Sequence, residues 1–138
     1  QQVGHALFPI WNKNLRAYIT QGHAGVWTGT AASWVDLHPA GCYGSQARGA
    51  SRGYQAGTTW TEGDAYSGNT RAGIWSGAPE SWVDLHTLLP PSYGASVAED
   101  IEVTDTDIWV VGSVYIPSDS EWSWGTHDAV LWHKSLSE

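Results

Sequence analysis

The chain has 138 residues and a mass of 15.0 kDa, with 6 Lys+Arg against 14 Asp+Glu, a formal net charge of -8, 10 Trp and 16 Gly. The length suits one domain. The aromatic content and sparse charge argue against disorder, the acidic balance argues against a nucleic-acid or anionic-membrane surface, and no apolar run approaches the roughly 20 residues of a spanning helix. A single cysteine, Cys42, excludes an internal disulfide framework. Met is absent, which predicts that the chain is processed or excised from something larger.

In chain order, β-branched and aromatic runs broken by Gly, Pro, Ser, Asn and Asp predict strands and turns. A strand carrying Gly4 is expected near 1–8, and a strand ending in Trp27 over 23–27. The alternation of Trp34, Asp36 and His38 with Val35 and Leu37 predicts a third strand over 34–38. Then come 45–51, 52–60, 71–75 and 82–86, and finally 95–104, 108–116 and 128–132. No window shows a sustained 3.6-residue apolar period.

These segments repeat. Residues 23–38 and 71–86 are identical at ten of sixteen positions, an offset of 48. His23-Ala24-Gly25-Val26-Trp27 returns as Arg71-Ala72-Gly73-Ile74-Trp75, and Ser33-Trp34-Val35-Asp36-Leu37-His38 as Ser81-Trp82-Val83-Asp84-Leu85-His86. A weaker third copy is His127-Asp128-Ala129-Val130-Leu131-Trp132. Gly4, Gly57 and Gly112 mark another recurring strand, 53 and then 55 residues apart. The pattern predicts an all-β protein of β-propeller-type four-stranded blades, strands a to d in each. One complete blade is flanked by two incomplete ones, within a single repeat domain of units about 1–44, 45–94 and 95–138. The first unit lacks strand a and the third lacks strand d, so the chain is expected to be part of a larger propeller or of an oligomeric one.

At its His-Ala-x-x-Trp and Trp-Val-Asp-Leu-His strands the chain resembles bacterial extracellular HAF-type repeat proteins, with His23-Ala24 present, Arg71-Ala72 in its place in the second unit, and His127-Asp128-Ala129 split in the third. The resemblance implies a propeller-like scaffold that is secreted or on the cell surface, extracellular or periplasmic. It implies no catalytic residues.

Trp27, Trp75 and Trp132, together with Trp34 and Trp82, are repeat-locked and are expected to pack between blades. Asp36 and Asp84 are expected to accept backbone N–H bonds. The histidines have no zinc spacing. The acidic run Glu99, Asp100, Glu102, Asp105 and Asp107 lacks a glycine-punctuated calcium loop and reads as a solvated face. No metal and no cofactor is expected. Antiparallel alternation sends the connections at roughly 9–22, 61–70 and 117–126, and those before 45 and 95, to one end. These hold the aromatics that break the repeat: Trp11, Tyr18, Tyr43, Tyr66, Tyr93, Trp122 and Trp124, the ligand-binding candidates. No motif of a hydrolase, P-loop, zinc protease or dinucleotide site is present.

The reading that follows is a non-catalytic interaction module whose loop-bearing face engages a protein partner or completes an oligomeric propeller, with strand addition from another chain or segment expected to cover its open edges. Alternatives are a carbohydrate-binding lectin that stacks sugars on loop Trp and Tyr and, more remotely, a glycoside-active propeller enzyme.

Overall fold

A computed structural model of the chain describes residues 1–61, 69–120 and 124–137. It is all-β, with three antiparallel sheets, none closed on itself. The first sheet has the order β1 (Gln2–Asn12), β2 (Ala17–Trp27), β3 (Val35–Asp36). The second has β4 (Gly44–Ser51), β5 (Tyr54–Trp60), β6 (Arg71–Trp75), β7 (Val83–Asp84). The third has β8 (Ala95–Val103), β9 (Asp107–Ile116), β10 (Thr126–Ser135), with β9 in the middle. Each sheet is a meander of consecutive strands, so the sheets hold three, four and three strands. Among the described residues no helix is long and apolar enough to cross a membrane.

The turns follow from local chemistry. Arg52 and Gly53, both at positive φ, make the two-residue turn between β4 and β5. Asn12 Oδ1 accepts the N–H groups of Asn14 and Leu15, each at 3.0 Å, and closes the β1–β2 turn. That hairpin departs from the sequence expectation. Residues 9–22 read as a loop; instead both strands run eleven residues, and the ladder continues through Ile10↔Ile19 and Trp11↔Tyr18. Pro9 is tolerated because β1 is an edge strand of its sheet. The third strand also differs. Its ladder spans only two residues in each copy, and residues Leu85–Leu88 turn into a short 3-10 helix.

The two strands that open the second and third sheets are kinked at one place. Register shifts fall between Ala47 and Gly49 and between Ala98 and Asp100, leaving Arg48 and Glu99 as the extra residues. These two pair with each other at 2.7 Å across the sheets. Arg52 reaches Asp105 in the same way. Both pairs are solvated and contribute at most about 1 kcal/mol each.

The sheets stack face to face, and every interface has one grammar. Direct cross-strand partners share a face. In the first sheet Val3 opposes Val26 and His5 opposes Ala24, and this aliphatic face meets Trp75 and Ala47 of the second sheet. In the second sheet Ala56 opposes Ile74 and Thr58 opposes Ala72, and this face meets Trp132, Val110 and Ala98 of the third. Trp75 is fully buried and Trp132 nearly so. Each tryptophan lies on the opposite face of its own sheet, with Gln55↔Trp75 and Val110↔Trp132 as partners.

Candidate functional site

A hydrogen-bonded set recurs where one sheet joins the next. Asp36 Oδ1 accepts the His38 N–H at 2.8 Å, and its Oδ2 lies 2.7 Å from His23 Nδ1. His38 Nε2 lies 3.1 Å from the Cys42 carbonyl, so the neutral ring donates there. Its Nδ1 then accepts from Ser45 Oγ at 2.8 Å, while Ser45 Oγ accepts the Ala24 N–H at 2.9 Å. The second copy repeats this. His86 N–H donates to Asp84 at 2.9 Å, Arg71 Nε to the same carboxylate at 2.5 Å, His86 Nδ1 pairs with Ser96 Oγ at 2.7 Å, and the Ala72 N–H donates to Ser96 at 3.0 Å.

Asp, His and Ser together suggest a hydrolase, but the geometry is a clamp. The aspartate bonds the histidine's backbone, and both ring nitrogens of His38 are engaged by Ser45 and Cys42. Ser45 and Ser96 are sealed from solvent, at 0% and 1% exposed. A nucleophile needs access and a base free to take its proton. Burial holds the His38 and His86 pKa values below 6.5, helped by the charge of His23 beside the first and Arg71 beside the second. The folded chain therefore binds fewer protons here than the unfolded one. This contribution to stability is complete above about pH 6.5 and shrinks as pH falls toward the folded values. Replacing Ser45 or Ser96 by alanine strips Ala24 or Ala72 of its acceptor and a histidine of its donor, an expected cost of about 1–3 kcal/mol in denaturant unfolding. An unchanged midpoint in both variants would show that the clamp bears nothing.

Among the described loop aromatics, Trp11 and Tyr18 alone are in ring contact with one another. Trp11 and Tyr18 are strand residues at the far end of the β1–β2 hairpin, with ring centroids 5.2 Å apart. Tyr43, half-buried, ties its N–H to the Trp60 carbonyl at 2.8 Å. Tyr93, also half-buried, closes a turn onto the Pro90 carbonyl at 3.1 Å. Trp124 is 97% exposed. Tyr66 and Trp122 lie outside the described residues. Among the described residues no group of three or more His, Cys, Asp or Glu side chains is placed to hold a metal ion. Cys42 is half-buried, and that burial raises its pKa.

What stands out is the two ends of the stack. In the first sheet Gln2 opposes Trp27 and Gly4 opposes Gly25, the tryptophan face, and no sheet covers it. Trp27 is half-exposed where Trp75 is buried. A hollow of about 380 Å³ opens beside it, lined by Trp27, Gly29, Thr30, Ala31 and Trp34. In the third sheet Val111 opposes Leu131, Ser113 opposes Ala129 and Trp109 opposes His133, the aliphatic face, and it too is uncovered. Leu131 is 57% and Val111 48% exposed, and Trp109 stacks on His133 at 3.8 Å. Val111 and Leu131 were not singled out from the sequence. The signal was present: aligned on Gly4, Gly57 and Gly112, they occupy the places of Val3 and Val26, or Ala56 and Ile74. Among the described residues β1 and β10 each have one side with no strand beside it, where the second sheet carries β4 and β7.

Comparison of the chain with protein-family models, with curated proteins and with solved structures finds no match.

Proposed function

We propose that the chain is a non-catalytic interaction module, a scaffold of propeller-type blades similar to the secreted or cell-surface HAF-type repeats, that binds protein through the two ends of its sheet stack. The observation that carries this reading is the identity of the uncovered residues. Trp27, Val111 and Leu131 are of the same kinds as residues that form the buried interfaces inside the chain, yet they face solvent. Contiguous exposed apolar surface of this sort marks a binding site, and unpaired edges alongside it accept strands. The clamp, by contrast, is consumed in holding sheets together. The experiment is a binding measurement with immobilised chain against proteins from its own source, comparing wild type with Val111→Asp. Val111 is half-exposed, so the charge is not placed in the core, and circular dichroism checks that the fold persists. Loss of capture of a defined protein is expected; equal capture by both, with unchanged circular dichroism, overturns the reading.

Carbohydrate binding is the second reading, favoured by the exposed Trp11–Tyr18 pair and by Trp124. It requires glycan binding that disappears in Trp11→Ala or Trp124→Ala while Val111→Asp retains it.

A further inference from the structure

We infer that the partner of these two ends is a second copy of this chain, docked head to tail, with Trp27 of one copy seated on Val111, Ala129 and Leu131 of the other. The inference rests on the interaction-module reading and names its partner.

The contact is already made twice inside the chain. Trp75 seats on Val3, Ala24 and Val26, and Trp132 on Ala56, Ala72 and Ile74. Trp27 is the equivalent tryptophan with no aliphatic face beneath it. Val111, Ala129 and Leu131 are the equivalent aliphatic face with no tryptophan upon it. The docking surface continues an interface whose fit the molecule demonstrates. None of these four positions is charged, while Asp100 and Glu102 stand opposite Val111 and Trp109 across the β8–β9 ladder and put carboxylates at the margin of the contact.

The clamp agrees. At both internal joints the clamp takes its Asp from the last strand of one sheet, its His from two residues beyond that Asp, and its Ser from the first strand of the next sheet. Among the described residues the open face of the third sheet and that of the first carry no half-clamp, so seating one on the other leaves no such group unsatisfied. The outer edge of β10 has also lost what a Trp-Val-Asp strand needs. Gly25 and Gly73 leave the space that Trp34 and Trp82 occupy: a Cβ there would sit 2.0 and 2.2 Å from the indoles. The third sheet has Val130 instead, and Asp128 where His23 and Arg71 pair with the aspartates. A second copy cannot complete β10 by lending β3 or β7. It docks face on face. Two such head-to-tail joints related by a two-fold axis bring six sheets together, a number compatible with a closed ring.

The test is the mass of the purified full chain by sedimentation equilibrium. Twice 15.0 kDa is expected for wild type, and 15.0 kDa for Leu131→Asp and for Trp27→Ala alone. Mixing those two variants restores the two-chain mass through one intact joint, because the first keeps its Trp27 and the second keeps its Leu131; a head-to-head or tail-to-tail contact is not restored this way. Circular dichroism matching wild type excludes misfolding, and Val111→Asp provides an independent tail variant. A wild-type mass of 15.0 kDa up to the solubility limit, or no recovery on mixing, overturns the proposal. If wild type is a single chain and Leu131→Asp still abolishes capture of a foreign protein, only the second-copy proposal fails. If wild type is a single chain and capture is unaffected, the module reading fails with it.

Discussion

Trp75→Ala is expected to destabilise the chain by about 3–5 kcal/mol, the range for emptying a fully buried aromatic site. Trp75 has no exposed surface, sits among Ala24, Val26, Leu37 and Ala47, and packs its ring 4.4 Å from that of Trp82. Its indole N–H has no acceptor among the described residues, and neither has that of Trp132. Volume therefore holds tryptophan at this place, and Trp75→Phe should cost well under Trp75→Ala. The control is Trp27→Ala, chemically the same deletion at the repeat-equivalent position. In a dilute single chain it should cost about 1 kcal/mol, since Trp27 lies against Trp34, 5.3 Å away, and over Gly4, with no other sheet in front among the described residues. Denaturant unfolding at low protein concentration measures both. Equal losses would mean that the repeat-equivalent tryptophans share one environment, and the open end would not exist. A Trp27→Ala penalty that grows with protein concentration is the thermodynamic mark of a partner covering it.

Much of this was legible in the sequence, for reasons that differ by element. The strands that carry Gly4, Gly57 and Gly112, and those that end in Trp27, Trp75 and Trp132, were readable because two or three copies agree and period-2 patterning needs no tertiary knowledge. The β1–β2 extension was not. Residues 9–22 have no counterpart to align, and Pro9 reads as a breaker unless the strand is known to lie at an edge. The Trp-Val-Asp-Leu-His strand reads longer in the sequence than it is because the alternation runs five residues. Its aspartate captures the N–H two residues on, at 2.8 Å for His38 and 2.9 Å for His86, and that local bond ends the ladder. Ser45 and Ser96 recur, but their role depends on the neighbouring sheet, which spacing does not reveal. The open ends are the extreme case. Trp27 and Trp75 lie in nearly the same sequence, and only the place where stacking stops separates a core residue from a surface one.

Gly57→Ala and Gly112→Ala are expected to be as damaging as any core deletion, about 3 kcal/mol or more. A Cβ on Gly57 would lie 2.0 Å from the Gln46 carbonyl oxygen, and one on Gly112 2.0 Å from that of Val97. Both oxygens belong to backbone beside the register shifts of β4 and β8, so no rotamer change relieves the collision and the opening strand must separate from its neighbour. Gly4 holds the same register position in β1, but β1 has no strand on its outer side. An added Cβ there would meet only the tip of the Trp27 ring, at 3.2 Å. Gly4→Ala should therefore cost less than about 1 kcal/mol in the single chain, the scale of a strand-propensity change. Measuring the three variants side by side by thermal unfolding separates two origins of the repeated glycine. A mild Gly4→Ala beside two severe neighbours means that only strands inside this chain press on the motif. Three equally severe losses mean that a strand from outside lies along β1 in solution, seated over Gly4 as β4 is over Gly57.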